Sequence, residues 1–107
     1  MSDLQDVLRY SELLNIYQGL LSKTQKEILE DYFLANLSFS EIAENRNISR
    51  SAVEDAVRKG KKNLDDYEEQ LCSLRILHNI RKLKTKTDDK EVLKILDEIE
   101  REITHGI

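Results

Sequence analysis

The chain has 107 residues, enough for one modest hydrophobic core, and its formal net charge is −4 with 36% charged residues. That balance excludes a surface that is basic all over, the usual footprint of a protein held mainly by phosphate contacts, so any nucleic-acid binding needs local positive charge. No apolar run approaches the roughly 20 residues that span a bilayer, and the acidic, amphipathic start MSDLQDVLRY is unlike a signal peptide, so no membrane insertion is expected.

There is no proline, glycine occurs three times, and apolar residues recur at helical spacing without strict alternation. The expected fold is all-α. A first helix capped by Ser2 or Asp3 runs to about Gln18, with Leu4, Val7, Leu8, Leu14 and Tyr17 on its inner side, and Gly19 ends it. Ser22 and Gln25 have capping-box spacing, and the helix they open runs to about Ala35, burying Ile28, Leu29, Tyr32 and Phe33.

Residues 38–57, SFSEIAENRNISRSAVEDAV, read as a helix-turn-helix. Ser38 and Glu41 form a capping box, Ile42 and Ala43 face inward, and Ala43 is small enough for a second helix to cross close by. Asn45-Arg46-Asn47 makes the turn, with Asn47 where a left-handed backbone is wanted. Ile48 plugs the corner, Ser49 caps the second helix, and Val53, Ala56 and Val57 are its buried side. Arg50, Ser51, Glu54, Asp55 and Arg58 face outward, where a DNA reader would meet the major groove. The same packing also suits a helical hairpin that touches no nucleic acid.

Beyond Ser49 no stop signal appears until about Lys84, and Leu64, Tyr67, Leu71, Leu74, Ile76, Leu77, Ile80 and Leu83 sustain an apolar stripe. One helix of about 50 Å is expected at 1.5 Å per residue. Gly60 lies inside it at a cost of about 1 kcal/mol relative to alanine. Lys84 to Lys86 make a polar break, and Asp88 with Glu91 restarts a helix carrying Val92, Leu93, Leu96, Ile99 and Ile103. This reading divides the chain into a helix-turn-helix domain over 1–69 and a C-terminal helical hairpin and dimerisation extension over 70–107. The stripe from Leu64 to Leu83 is longer than one small domain can cover, which predicts a two-fold homodimer with Leu74 and Leu77 in its seam.

Arg50, Arg58, Lys59, Lys61 and Lys62 form the densest basic stretch. The candidate nucleic-acid contacts are Arg50, Ser51, Arg58, Lys59 and Lys62, with Glu54 a possible acceptor for cytosine N4. The competing reading is an ordinary solvated helix face, and the acids Glu54 and Asp55 favour a protein partner. His78 and His105 are far apart and lack companions at ligand spacing, so no metal or cofactor is expected. Cys72 cannot form an internal disulfide, which fits a reducing cytoplasm, and reads as a small core or interface residue. Tyr10, Tyr17, Tyr32 and Tyr67 fall on or beside apolar stripes and read as core residues with polar tips. No phosphate loop, nucleophile–histidine–acid pattern or paired carboxylates suggest an enzyme.

SFSEIAENRNISRSAV resembles the DNA-reading C-terminal region, region 4, of sigma-70-type factors. The longer stretch LLSKTQKEILEDYFLANLSFSEIAENRNISRSAVEDAVRKGKKNLDDYEEQL resembles the YlxM family of small bacterial helix-turn-helix proteins, through Leu20, Leu21, Thr24-Gln25, Ser49-Arg50, Ala52-Val53, Asp55, Leu64 and Asp66-Tyr67-Glu68. Glu54, where that family favours an aromatic residue, and Gly60 depart from the pattern. The resemblance implies a cytoplasmic bacterial homodimer associated with the signal recognition particle pathway. Its partners would be DNA, the particle's RNA or the particle's GTPase, and it implies no catalytic residues.

Overall fold

The computed structural model of the chain describes residues 3–105. Ser2, one of the two expected first caps, lies outside them. Six helices and no strand occur among the described residues, in an elongated molecule of 53 × 23 × 20 Å.

Helix α1 spans Leu4–Tyr17 and is capped by Asp3, whose carboxylate accepts from the Asp6 amide at 2.8 Å. Tyr10, Leu13, Leu14, Ile16 and Tyr17 are buried. Leu4 and Leu8, expected on the inner side, are exposed, Leu8 by 57%. At about 100° per residue Leu8 stands about half a turn away from the Tyr10–Leu13–Tyr17 side, out of phase with the buried stripe. The helix ends in a 3-10 turn, Gln18–Leu20, and Gly19 does not adopt a left-handed backbone.

Helix α2, Lys23–Phe33, ends before the expected Ala35. Ser22 accepts from the Gln25 amide at 3.2 Å, but the Gln25 side chain does not reach back to complete the box. Its carbonyl accepts from Asn63 Nδ2 at 3.2 Å instead, tying this helix to a later one. Helix α3, Phe39–Arg46, has the complete capping box: Glu41 N to Ser38 Oγ at 3.1 Å and Ser38 N to Glu41 Oε1 at 3.0 Å. Asn47 then takes the left-handed conformation (φ 55, ψ 46), and the Ile48 amide returns to the Ala43 carbonyl at 3.1 Å. Ile48 is 40% exposed and does not plug the corner. Arg46 reaches across to Asp31 at 2.7 Å and Glu27 at 3.1 Å, so this turn residue clamps α3 onto α2.

Helix α4, Arg50–Leu71, is capped by Ser49 and packs against α1, α2 and α3. Its buried side is Val53, Val57, Gly60 and Leu64. Gly60 has a reason that spacing alone did not supply. A Cβ there would lie 2.7–3.0 Å from the side chain of Leu29, itself fully buried, so the glycine permits the close approach of α2 and α4.

The single long helix expected from Ser49 to Lys84 is two helices. Cys72 adopts a left-handed backbone (φ 57, ψ 19), and α5 runs over Ser73–Lys84. The break is held by groups from elsewhere in the chain. Glu68 accepts from the Leu74 and Arg75 amides at 3.0 and 3.1 Å, and the Tyr17 hydroxyl accepts from the Ser73 amide at 3.1 Å. These are the free donors that a helix N-terminus must satisfy. Helix α6, Lys90–His105, starts under Asp89 rather than Asp88, since Asp89 Oδ1 accepts from Glu91 N and Val92 N.

Helices α5 and α6 form the expected hairpin, and both also pack on α1. Leu74 and Leu77, expected in an intersubunit seam, are 4% and 2% exposed within the single chain. The break at Cys72 folds them back onto α1 and α6. The apolar residues left outside are Ile76 and Leu83 on α5 and Val92, Ile95 and Ile99 on α6.

Candidate nucleic-acid interface

The candidate contacts all lie on α4. Arg50, Ser51, Glu54, Arg58, Lys59 and Lys62 are exposed, opposite the Val53–Val57–Leu64 side that packs into the core. Ser49 and Ser51 hydroxyls meet at 3.3 Å at the start of the helix.

Their charge is interleaved with acid. Residues 50–66 contain five cations and four carboxylates, and helical geometry places both signs on the same outward arc. Arg50 pairs with Glu54 at 3.2 Å, Lys59 with Asp55 at 3.0 Å and Lys62 with Asp66 at 2.8 Å, while Arg58 also bonds Asp55. The Lys59 and Arg58 cations hold the Asp55 carboxyl below its ordinary range, the hydrogen bond from Lys59 being the largest cause. Lys62 is raised, first by its hydrogen bond to Asp66. Such exposed pairs are screened by solvent and add little to stability. They lower the local potential but leave each cation able to exchange its carboxylate for a phosphate.

One flank of α4 borders a groove of about 390 Å³ between α1, α2 and α4. Tyr10 and Tyr32 form its aromatic wall, and Glu54, Arg58, Lys61 and Lys62 lie along its α4 side. Tyr10 stacks on Phe33 with centroids 5.3 Å apart, and Tyr32 stacks on Phe39 at 4.8 Å. The Lys61 ammonium sits 4.9 Å from the Tyr10 ring centre and 3.5 Å from Asp6. The Tyr10 hydroxyl donates to Asp65 at 2.7 Å, and Arg9 bonds the other oxygen of that carboxylate at 2.9 Å. Burial, with Asp65 beside it, pushes the Tyr10 phenol up to about 12.

Tyr10 is a core residue with a polar tip, as expected, and Tyr32 is partly buried against the same core, while Lys61 was not among the expected contacts. No local pattern joins position 10 or 32 to position 61, and only the packing of α1 and α2 on α4 does so. Among the described residues, no group of three or more His, Cys, Asp or Glu is placed to hold a metal ion. His78 instead meets Glu12 at 3.1 Å. No helix among them is long and apolar enough to cross a membrane.

The helix-turn-helix of α3 and α4 agrees with the family whose model matches residues 4–104, described as "Putative helix-turn-helix protein, YlxM / p13 like". The chain belongs to the UPF0122 family. A UPF0122 protein of Fusobacterium nucleatum is 47% identical over 79 residues, covering 74% of this chain and 77% of its own. One from a Thermoanaerobacter species is 35% identical over 109 residues, covering 92% and 93%. One from Malacoplasma penetrans is 41% identical over 66 residues, covering 62% of each. The matches to these UPF0122 relatives are with bacterial proteins. No solved structure matches the chain.

Proposed function

We propose that the protein is a nucleic-acid-binding regulator without catalytic activity, which presents the outward face of α4 to DNA or to the signal recognition particle RNA. The observation that carries this is the outward face of the second helix of a capped helix-turn-helix, opposite its core-packed side, with Arg50, Ser51, Arg58, Lys59 and Lys62 exposed. The link to the signal recognition particle and to the cytoplasm rests on the family resemblance. In this reading residues 1–69 bind nucleic acid and residues 70–107 associate with a second copy of the chain, through the apolar side chains that α5 and α6 leave exposed. A dimer would set two α4 helices at a fixed separation and double the local basic density.

Gel shifts with a salt titration, against duplex DNA and against the particle's RNA, test this. Phosphate contacts give a negative slope of log K on log salt, and changing Arg58 and Lys62 together to Ala should flatten the duplex slope by about two phosphate equivalents. Absence of binding at low salt overturns the proposal. The matching of cations by carboxylates along α4 favours a second reading, a protein-docking module for the particle's GTPase, which predicts binding to that protein with no dependence on the RNA.

A further inference from the structure

A single residue, Cys72, joins α4 to α5, and its backbone is left-handed, a conformation that glycine or asparagine adopts at less cost. We infer that this turn is a hinge. It opens into one continuous α4–α5 helix, and the α5–α6 hairpin then packs on α1 of a second copy of the chain, which returns its own hairpin in exchange. The inference rests on the association of residues 70–107 with a second copy, proposed above, and deepens it from contact between surfaces to exchange of a structural element. It does not depend on nucleic acid.

Nothing in the local sequence prefers the bend. Leu64, Tyr67, Leu71 and Leu74 are spaced three, four and three residues apart straight through the turn, the interval that keeps side chains on one helix face. No glycine, proline or asparagine lies between Leu64 and His78. In the bent chain Leu71 is the member of this stripe left uncovered, 48% exposed beside the turn. In a straight helix it falls between Tyr67 and Leu74, next to the hinge, where two exchanging helices cross and each leucine meets its copy.

Opening leaves no backbone donor stranded. In the bend the Ser73 amide bonds the Tyr17 hydroxyl, and the Leu74 and Arg75 amides bond Glu68. In a straight helix those amides bond the Glu69, Gln70 and Leu71 carbonyls, four residues back. Tyr17 keeps Glu68 at 2.7 Å in both forms, because neither residue moves with the hairpin. The left-handed backbone at Cys72 is also relieved. The hairpin's packing survives the exchange, since it rests on α1 with Leu74 and Leu77 buried and His78 and Arg81 reaching Glu12 at 3.1 and 3.4 Å. Each of these contacts is remade on the second copy's α1. The Glu68 cap holds the hinge shut, and a short hinge with a strained backbone is the kind of connection that invites exchange.

Sedimentation equilibrium of the full chain gives the dimer dissociation constant of wild type, Cys72→Gly and Glu68→Gln. Glycine accepts the bend without strain and disfavours the straight helix, so it should weaken the dimer about tenfold per hinge, about a hundredfold for two. Glu68→Gln gives up one of the two oxygens that cap α5, and should tighten the dimer about tenfold. Exchange is separated from side-by-side association by combining Glu12→Cys and His78→Cys in a Cys72→Ser background and joining the two thiols with a short bis-maleimide. Exchanged chains run as a covalent dimer on a denaturing gel. A sedimenting dimer that runs as a monomer after cross-linking overturns the exchange and leaves association through the exposed apolar residues standing. Equal dissociation constants for wild type and Cys72→Gly overturn the hinge. A monomer at every concentration, in Glu68→Gln as in wild type, overturns both the exchange and the association beneath it.

Discussion

The Tyr17 hydroxyl donates to Glu68 Oε1 at 2.7 Å, joining the end of α1 to the last turn of α4 across 51 positions of sequence. The same Glu68 oxygens receive the Leu74 and Arg75 amides, and the Tyr17 oxygen receives that of Ser73. Two side chains thus supply the N-terminal cap of α5, which Cys72 in its left-handed conformation could not. Burial raises the Tyr17 phenol, with the hydrogen bond to Glu68 adding to it, so it stays a donor at neutral pH.

Glu68→Ala should therefore cost about 2–3 kcal/mol, since two helix-start amides and the Tyr17 hydroxyl lose a charged acceptor. Tyr17→Phe should cost about 1 kcal/mol. Because both act on one network, the double variant should cost less than the two losses added. Urea unfolding of the four proteins measures this, and strict additivity would show that the pair does not act as a unit.

Gly60→Ala should destabilise the protein although it removes a helix-interior glycine. The gain in helix propensity is about 1 kcal/mol, while forcing a methyl into contact with Leu29 costs about 1–3 kcal/mol. The thermal midpoint should fall. A matching check is Leu29→Ala, which should cost less in the Gly60→Ala background than in wild type. A raised midpoint in Gly60→Ala would mean that Leu29 steps aside without loss.

Alkaline pH should act through Tyr10. Its phenol is pushed up to about 12 in the folded chain, first by burial and then by its hydrogen bond to Asp65, from an ordinary value near 10.0. A raised folded pKa means that the associated stability is complete below about pH 10 and is lost as pH rises through about 12. Tyr10→Phe should remove that part of the decline. Thermal midpoints between pH 8 and 12 that fall equally in both proteins would contradict the assignment.

Substitutions on α5 and α6 should separate core from surface. Leu77→Glu puts a carboxylate among Leu74, Ile80 and α1, and should unfold the hairpin at a cost on the order of 4 kcal/mol. Ile95, 50% exposed, should accept Glu with little change in melting. If a second copy covers this face, Ile95→Glu lowers the mass measured by sedimentation equilibrium. An identical mass for Ile95→Glu and wild type would remove the exposed α6 residues from any dimer.

What the sequence determined by itself was local. The box of Ser38 and Glu41, the left-handed Asn47 and the cap at Ser49 each involve atoms within five residues, so spacing alone locates α3, the turn and the start of α4. The buried Val53 and Val57 and the outward Arg50, Arg58 and Lys62 follow from one helical period. The break at Cys72 could not be read this way, because the apolar stripe continues through it and the cap comes from Tyr17 and Glu68. That break decides that Leu74 and Leu77 are core rather than seam. Gly60 likewise looks like a flaw until Leu29 is brought against it, and Arg46 looks like a turn residue until α2 offers Asp31 and Glu27. The groove belongs to the same class. Tyr10, Tyr32 and Lys61 share no periodicity, and only the packing of three helices puts an aromatic wall beside a row of cations. Local hydrogen bonding and helical phase are encoded over a few residues, whereas contacts between distant helices depend on how their faces meet in space.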